Sequence, residues 1–238
     1  MAIEIRGVRK RFGRLEVLRG VDLTLAPGRI TAVVGPNAAG KTTLIKTILG
    51  LVRLEPGEGE VLIDSIPVGQ SSQYRERIGY MAQAARFPHH LTGREVIAFL
   101  RGLRHDPPDV DLSLIDQLAL APHLDKRIGT LSGGTRQKLN AVVAMLFRPA
   151  VLVLDEPTAG LDPRASAILK DHVTRATLGG ATVLLTSHIV SELEDLAQDL
   201  VFLVEGGVEF HGSVDSLKAR AGETKLERVL AGMLEGRS

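Results

Sequence analysis

The 238-residue sequence predicts an α/β fold with a mainly parallel sheet. Strands are predicted at Ile30–Val34, 151–156 and 181–188, and apolar runs such as ITAVV at the first of them are typical of strands buried on both faces. Segments with helical periodicity lie between them, as at 163–178. A glycine-rich loop follows the first of these runs. Strands that alternate with helices indicate a parallel sheet with helices on both faces.

The composition restricts the class of partner. The chain has 29 basic and 28 acidic residues and a net charge of +1, so no charge excess favours nucleic acid. The aromatic content of 3% leaves little for base stacking, and the absence of cysteine excludes disulfides. The start of the chain does not resemble a signal peptide, and no apolar run reaches the roughly 18–20 residues that span a bilayer. We expect a soluble, cytoplasmic chain that reaches a membrane only through a partner.

The first third of the chain predicts strands joined by turns. Residues 3–8 and 17–25 alternate between apolar and polar side chains, and Pro27 and Gly28 form a turn. A helix is predicted over 41–51. Two further strands are predicted at 59–64 and 78–83.

The rest of the chain contains a helical stretch and then returns to alternation. Helical patterns run from about 91 to 147 and indicate an all-helical insertion, which we place at about 86–150. After the strands at 151–156 and 181–188 we expect a hairpin over 200–212 that turns at Gly206 and Gly207. A charged helical tail is expected at about 213–238. We interpret residues 1–238 as a single domain.

The loop between the first apolar run and the first helix matches the phosphate-binding pattern G-x-x-x-x-G-K-[ST] at Gly35, Gly40, Lys41 and Thr42. Backbone N–H groups and the helix N-terminus bind phosphate in such loops. Lys41 is expected to contact the β- and γ-phosphates, and the hydroxyl of Thr42 is expected to bind Mg²⁺. A chance glycine-rich turn is the alternative, but the flanking strand and helix argue against it. The predicted nucleotide-binding residues are Gly35, Pro36, Asn37, Ala38, Ala39, Gly40, Lys41, Thr42 and Thr43.

Three other predicted strands deliver polar side chains to the same edge of the sheet. They end at Gln83, at Asp155 and Glu156, and at His188, and ligands of doubly wound sheets bind at the carboxyl ends of the strands. We expect Asp155 to belong to the magnesium shell and Glu156 to orient or deprotonate the attacking water. His188 can donate to the γ-phosphate, and the amide of Gln83 can contact both metal and water. A buried strand that ends in solvated acidic residues is common and does not by itself indicate a site. The prediction therefore depends on the convergence of several such strand ends at one edge of the sheet.

A second anion site is predicted where Ser132, Gly133 and Gly134 open a helix. Ser132 is a good N-cap. A plain cap does not explain the two glycines, which cost helix stability. Either two phosphates bind, or one nucleotide is clamped between two copies of the chain.

Taken together, these motifs resemble the ATP-binding subunits of ABC transporters over about residues 2–235. GPNAAGKT is similar to their Walker A loop, VLVLDEP to their Walker B strand, LSGGTRQ to their signature motif and AGLDP (159–163) to their D-loop. Gln83 resembles the Q-loop glutamine, His188 the switch histidine, and Phe12 the aromatic residue that stacks on adenine. Thr135 stands where glutamine is usual, and Phe12 where tyrosine is usual.

The resemblance implies a P-loop NTPase fold with a RecA-like, mainly parallel core, an N-terminal antiparallel β subdomain and an inserted all-helical subdomain. It also implies that two subunits, identical or related, pair head to tail and hydrolyse ATP with Mg²⁺. Ser132, Gly133, Gly134 and Asp162 would then contact the partner's ATP. A separate integral membrane permease, contacted near 83–92 on the inner face of the cell membrane, is implied as well. The segment 225–234, KLERVLAGML, resembles the tail of subunits that serve exporter-type (ABC-2-like) permeases.

Two other protein classes contain related nucleotide-binding motifs. A soluble ABC-type ATPase of translation or DNA repair usually carries two ATPase units, a basic linker or a long coiled coil, and none is visible here. A P-loop GTPase or small kinase would lack both LSGG and the histidine that ends a strand, and no N-K-x-D motif is present. The sequence does not specify the cargo.

Ala38 departs from the family pattern, which has glycine at this position. A positive φ angle there would strain alanine by roughly 1–2 kcal/mol. We predict a negative φ angle, because the required Gly35 and Gly40 are both kept.

Overall fold

A computed structural model describes residues 2–70, 73–84, 86–105 and 109–235. The larger of its sheets is mainly parallel, and among its described strands only the edge strand Gly207–Ser213 is antiparallel to its neighbour. In spatial order its strands are β10 (Gly207–Ser213), β9 (Asp199–Val204), β3 (Ile30–Val34), β8 (Thr182–Thr186), β7 (Val151–Asp155) and β6 (Ile78–Met81). The predicted α/β architecture is confirmed.

The smaller sheet is antiparallel and belongs to the first third of the chain. In spatial order its strands are β2 (Leu15–Leu25), β1 (Ile3–Phe12), β4 (Glu60–Ile63) and β5 (Ile66–Pro67). Its apolar face packs with helix α1 (Lys41–Ile48) against one face of the larger sheet. Burying these apolar side chains between two sheets and a helix supplies the main stabilisation of this part of the molecule.

Helices share an apolar core with the other face of the larger sheet. They are α2 (Gly93–Leu103), α3 (Ser113–Gln117), α4 (Gly133–Met145), α5 (Pro163–Leu178), α6 (Val190–Leu196), α7 (Val214–Ala221) and α8 (Leu226–Glu235). Short 3₁₀ turns occupy Gln73–Arg77, Ala121–His123 and Ile128–Thr130. Alternate residues of β3 serve the two cores, since Ala32 packs with the helices and Val33 with the smaller sheet.

Between β6 and β7 the described elements are helical apart from an isolated bridge between Thr92 and Arg127. Thr92 caps α2 in a capping box with Glu95, which fixes where the helix begins. The helical pattern at 109–120 forms a helix only over Ser113–Gln117, and Ala119, with a left-handed φ of 51°, lies just after its end. The single-domain division of the chain, with its insertion at about 86–150, stays a prediction.

Several predicted boundaries are shifted. The strands β6 and β8 end at Met81 and Thr186, so Gln83 and His188 lie in the loops that follow them. The hairpin turns at Glu205 and Gly206, not at Gly206 and Gly207. Both turn residues have positive φ angles, 47° and 81°, as a tight two-residue hairpin requires, and Gly207 already pairs with Val204.

The C-terminal helices dock on α6. Leu226 and Val229 of α8 are buried, and the backbone N–H of Leu226 donates to Glu194 Oε1 at 2.8 Å. Lys218 of α7 pairs with the same carboxylate at 2.8 Å, and this hydrogen bond lowers the pKa of Glu194. In the described parts of the chain, no helix combines the length and the apolarity that crossing a bilayer demands.

Candidate functional site

A cleft of about 410 Å³ lies at the carboxyl ends of the parallel strands. It brings together most of the predicted site residues, which are Asn37, Ala38, Ala39, Gly40, Lys41, Thr42, Thr43, Gln83, Asp155, Glu156 and His188. Leu15, Val17 and Thr186 line it as well, although the sequence did not single them out. Four separate loops therefore converge on one site, as the order of the strands predicts.

The phosphate loop is anchored on the turn between β9 and β10. Gly35 has a φ angle of 154°, and a Cβ there would collide with the carbonyl oxygen of Leu203. The N–H of Gly206 donates to the oxygen of Ala39 at 3.0 Å, and the N–H of Ala39 donates to Pro36 at 3.2 Å. These contacts hold the backbone of the loop in place beside this turn.

Ala38 has a φ angle of 63°, so the prediction of a negative angle is wrong. The turn that joins Ala39 to Pro36, and the bond from Gly206 to Ala39, fix the residue that follows Ala38. The loop thus keeps the left-handed backbone at a position without glycine. Alanine is strained in that region by about 1–2 kcal/mol.

Lys41 is the first residue of α1, whose N-cap is Gly40, and it reaches back over the loop. Its Nζ donates to the carbonyl oxygens of Gly35 at 2.6 Å and Pro36 at 3.0 Å. Burial lowers the pKa of Lys41, and the nearby Glu156 and Asp155 act in the opposite direction. The ammonium is therefore partly desolvated, which strengthens its attraction to an anion.

The ends of β7 and β8 are tied together by Thr186, whose side chain is buried. Its Oγ1 donates to Asp155 Oδ1 at 2.6 Å. Its backbone oxygen accepts from the N–H of Glu156 at 3.1 Å, and its Oγ1 accepts from the same group at 3.2 Å. A single threonine thus orients both acidic residues. Its place, opposite Asp155 in the neighbouring strand, depends on strand register that the sequence does not reveal.

Glu156 and His188 contact each other across the cleft. Glu156 Oε1 lies 3.2 Å from His188 Nε2, and the backbone N–H of His188 donates to Glu156 Oε2 at 3.3 Å. The side chain of Glu156 is 12% exposed and that of His188 is 62% exposed. Glu156 has a φ angle of 51°, a strained backbone that persists where the surroundings enforce it, often at functional sites. The two catalytic candidates are thus held in one place.

Gln83 is exposed in the cleft, and buried amides of α4 hold the segments next to it and to Glu156. Asn140 Nδ2 donates to the oxygen of Ala82 at 2.8 Å and to Gln137 Oε1 at 3.3 Å. Gln137 Nε2 donates to the oxygen of Pro157 at 3.3 Å. The helix that carries the signature motif is therefore joined to both segments. These amides were missed by the sequence analysis, although polar residues on a buried helix face would have marked them.

The signature motif forms the N-terminus of α4. Ser132 is its N-cap, and its Oγ accepts from the N–H of Thr135 at 3.2 Å. A Cβ on Gly134 would stand 2.8 Å from the oxygen of Gly160, whereas a Cβ on Gly133 would meet nothing within 4 Å. Glycine is thus required at position 134 because the D-loop lies so close. The space beside Gly133, by contrast, is not filled by any described atom of the same chain.

Asp162 caps α5 within its own chain. Its Oδ1 accepts from the N–H of Ala165 at 2.8 Å, and its Oδ2 pairs with Lys138 at 2.8 Å. The hydrogen bond from Lys138 is the main cause that lowers the pKa of Asp162. Its predicted contact with a partner's ATP stays a prediction.

Phe12 lies at the end of β1, is 50% exposed, and is not among the residues that line the cleft. Leu15, which pairs with it in β2, does line the cleft. Adenine stacking by Phe12 stays a prediction.

Comparison with known proteins agrees with this geometry. The sequence model of the family described as ABC transporter matches residues 18–159, more than half of the chain. The chain belongs to the ABC transporter family. It is 37% identical over 233 residues to the daunorubicin resistance ATP-binding protein DrrA3 of Streptomyces coeruleorubidus, covering 96% of this chain and 73% of that protein.

Two further similarities lie within the ABC transporter family. The Nod factor export ATP-binding protein I of Rhizobium meliloti (strain 1021) is 35% identical, and the match covers 87% of this chain and 62% of that protein. A solved ATP-binding subunit of an ABC transporter superposes with a TM-score of 0.91 at 26% identity, covering 98% of this chain and 100% of that one. The predicted resemblance and P-loop fold are confirmed, and the chain is an ATP-binding subunit with ATPase activity. The GTPase, kinase and non-transport alternatives are set aside.

Proposed function

We propose that two copies of this chain, or this chain and a related subunit, pair head to tail around ATP and drive a separate integral membrane permease. The position of the signature motif is the main support for this pairing. The cleft is lined by the phosphate loop and by the loops after β6, β7 and β8, and Ser132, Gly133 and Gly134 are not among its lining residues. Helix N-termini bind phosphate, and no described atom of the same chain fills the space beside Gly133 at this one. The site can therefore accept the phosphate of a nucleotide that is bound to a second copy.

In the proposed reaction Glu156 orients the attacking water and accepts its proton. Its carboxylate is held by His188, and its backbone N–H donates to Thr186. His188 donates to the γ-phosphate as charge develops there, and its large exposure leaves it free to change partner. Lys41 exchanges the carbonyl oxygens of the loop for the β- and γ-phosphates. These steps are positioning and charge stabilisation, which dominate phosphoryl transfer.

We also propose that Mg²⁺ accompanies the nucleotide, and the donor set fits it. Thr42, Gln83 and Asp155 line one cleft with hydroxyl, amide and carboxylate oxygens, the ligands that Mg²⁺ prefers. Within the described residues no group of three acidic, histidine or cysteine side chains could hold a metal alone. That suits an ion which takes most of its ligands from phosphate and water, and the bound ion would neutralise phosphate charge. Thr186 keeps Asp155 in place for it.

The proposed permease contact lies beside the Q-loop, at 83–92 and on α2. A groove of about 210 Å³ between β6, α2 and α4 is lined by Tyr80, Leu100, Leu103 and Phe147. Leu103 at its edge is 62% exposed, and Phe99 on the same helix is 63% exposed. Exposed apolar side chains beside a groove are typical of a protein contact. The chain would then lie on the inner, cytoplasmic face of the cell membrane without spanning it.

An exporter-type permease is the proposed partner, and nucleic acid is not. The likeness to a daunorubicin resistance protein and to a Nod factor export protein supports export as the direction of transport. The near-neutral charge gives no basis for nucleic-acid binding.

The experiment that tests the pairing combines two substitutions. Glu156→Gln should bind ATP, fail to hydrolyse it and accumulate as a dimer that light scattering detects. Adding Ser132→Arg should abolish the dimer while ATP binding to the single chain stays intact. Loss of single-chain binding in the double variant would mean that the signature motif serves its own chain's nucleotide, and the head-to-tail arrangement would be rejected.

A further inference from the structure

Glu192 on α6 is the one acidic residue in the described part of the chain that is fully buried, with 7% exposure. Its Oε2 accepts from Thr158 Oγ1 at 2.8 Å and from Ser187 Oγ at 3.0 Å. A buried carboxylate is costly unless hydrogen bonds compensate it, and bonds to a charged acceptor are stronger than neutral ones. Both hydroxyl groups are therefore held firmly in place.

The two donors belong to different parts of the catalytic edge. Ser187 directly precedes His188, and its Oγ also accepts from the N–H of Ile189 at 3.0 Å. Thr158 directly precedes the D-loop, and its backbone oxygen accepts from the N–H of Leu161 at 3.0 Å. Glu192 thus joins the segment of the switch histidine to the D-loop.

The D-loop in turn touches the signature motif of the same chain. The oxygen of Gly160 approaches Gly134 so closely that a Cβ on Gly134 would stand 2.8 Å from it. A displacement of the D-loop would therefore also displace the N-terminus of α4, where Ser132 caps the helix. Tightly packed groups of this kind transmit small shifts, because packed interfaces do not deform freely.

The other carboxylates of α6 fix the helix to the rest of the molecule. Glu194 holds Lys218 of the tail at 2.8 Å, and Asp195 holds Lys170 of α5 at 3.1 Å. Glu192 is the carboxylate of this helix that serves the catalytic edge. The helix is thus a fixed support from which Glu192 reaches the two loops.

We propose that Glu192 is a positioning residue that couples the chain's own ATP site to the surface it offers to its partner. When His188 turns toward a γ-phosphate, Ser187 shifts with it, and Glu192 passes that shift through Thr158 to the D-loop and the signature motif. The chain then presents a competent signature motif to the partner's ATP only when its own cleft is filled. This inference rests on the head-to-tail pairing proposed above.

The test measures ATP-driven dimerisation in the Glu156→Gln background. Glu192→Leu keeps the size of the side chain but removes both acceptors, whereas Glu192→Gln keeps an oxygen that can accept both bonds. We expect Glu192→Leu to weaken the ATP-bound dimer ten-fold or more while single-chain ATP affinity changes less than two-fold. Glu192→Gln should restore the dimer to within three-fold of the parent. Glu194→Gln, two residues along the same helix, is the matched control and should leave the dimer unchanged.

If Glu192→Leu does not fold, a second variant tests the inference in its place. Thr158→Val removes one donor with little change of shape and should weaken the dimer several-fold. If Glu192→Leu does fold, the effects of the two substitutions should not add. The inference is overturned if Thr158→Val and Glu192→Leu dimerise like the parent, or if Glu194→Gln weakens the dimer equally. If Glu156→Gln alone forms no ATP-bound dimer, the head-to-tail proposal and this inference both fall. A parent dimer that is unaffected by the Glu192 variants rejects this inference only.

Discussion

The hydroxyl of Thr186 donates to Asp155 at 2.6 Å and so joins the ends of two adjacent parallel strands at the floor of the ATP cleft. The same threonine accepts from the N–H of Glu156, so one side chain orients both acidic residues. We therefore predict that Thr186→Val, which keeps the shape, lowers kcat by about ten-fold or more, because a hydrogen bond to a carboxylate contributes about 1.5–3 kcal/mol.

Steady-state ATPase assays check this prediction, and Thr186→Ser is the control. Serine keeps the hydroxyl and should retain most of the activity. The affinity for ATP should change less than kcat in the valine variant, since the threonine supports the acidic residues and not the phosphate loop. Equal activity of the two variants would contradict the assigned role.

The pKa of Lys41 predicts a pH dependence of ATP binding. Burial lowers the pKa of Lys41, and phosphate binding favours its charged form. As the pH rises through the pKa of the free protein, Lys41 loses its proton and must regain it on binding, so the affinity for ATP should fall. Phosphate groups with a second pKa of about 6 are fully ionised in this alkaline range, so ATP itself does not titrate.

Calorimetric titrations at neutral and alkaline pH measure this effect. Lys41→Arg is the control, because arginine stays charged throughout the range and should flatten the pH dependence. A wild-type affinity that is constant up to the alkaline limit would show that Lys41 keeps its ordinary pKa.

The strained backbone of Ala38 predicts that Ala38→Gly stabilises the protein. Glycine adopts φ 63° without a Cβ clash, so we expect the free energy of unfolding to rise by about 1 kcal/mol. The adjacent Ala39 is buried and is not among the residues with positive φ angles, so Ala39→Gly should lower the free energy of unfolding. Urea unfolding without nucleotide separates the two variants, and a destabilised Ala38→Gly would show that the loop is not strained.

The two glycines of the signature motif should respond differently to alanine. Both lie in the first turn of α4, where alanine improves helix propensity by about 1 kcal/mol. Gly133→Ala should therefore leave the free energy of unfolding unchanged or raise it, since its Cβ meets nothing. Gly134→Ala should lower it, because its Cβ would press on the oxygen of Gly160 at 2.8 Å. Thermal unfolding of the single chain tests the difference, and identical melting temperatures would mean that the D-loop yields freely.

The sequence predicted those parts of the site that are set by local pattern. Residues of the phosphate loop, and the polar groups after each buried strand, followed from apolar runs and from the rule that ligands bind at carboxyl ends. Gln83, Glu156 and His188 all line the cleft, although each of them lies one or two residues beyond the end of its strand in the structure.

The parts that escaped prediction depend on contacts between distant segments. Thr186 meets Asp155 only through strand register, and Glu192 meets Thr158 across 34 positions of the chain. The backbone of Ala38 was mispredicted because its φ angle is imposed by neighbours of the loop, among them Gly206, and not by its own side chain. Local patterns carry no information on such contacts.

The head-to-tail pairing is tested most directly by mixing two inactive chains. Glu156→Gln removes the catalytic carboxylate but still binds ATP and keeps Ser132, and Ser132→Arg blocks the signature motif but keeps Glu156. A mixed dimer then contains one intact site, made from the phosphate loop of one chain and the signature motif of the other. We predict that each variant alone is inactive and that an equal mixture recovers up to about a quarter of the wild-type ATPase rate, since about half of the dimers are mixed and each has one of two sites. A mixture as inactive as its components would contradict the pairing.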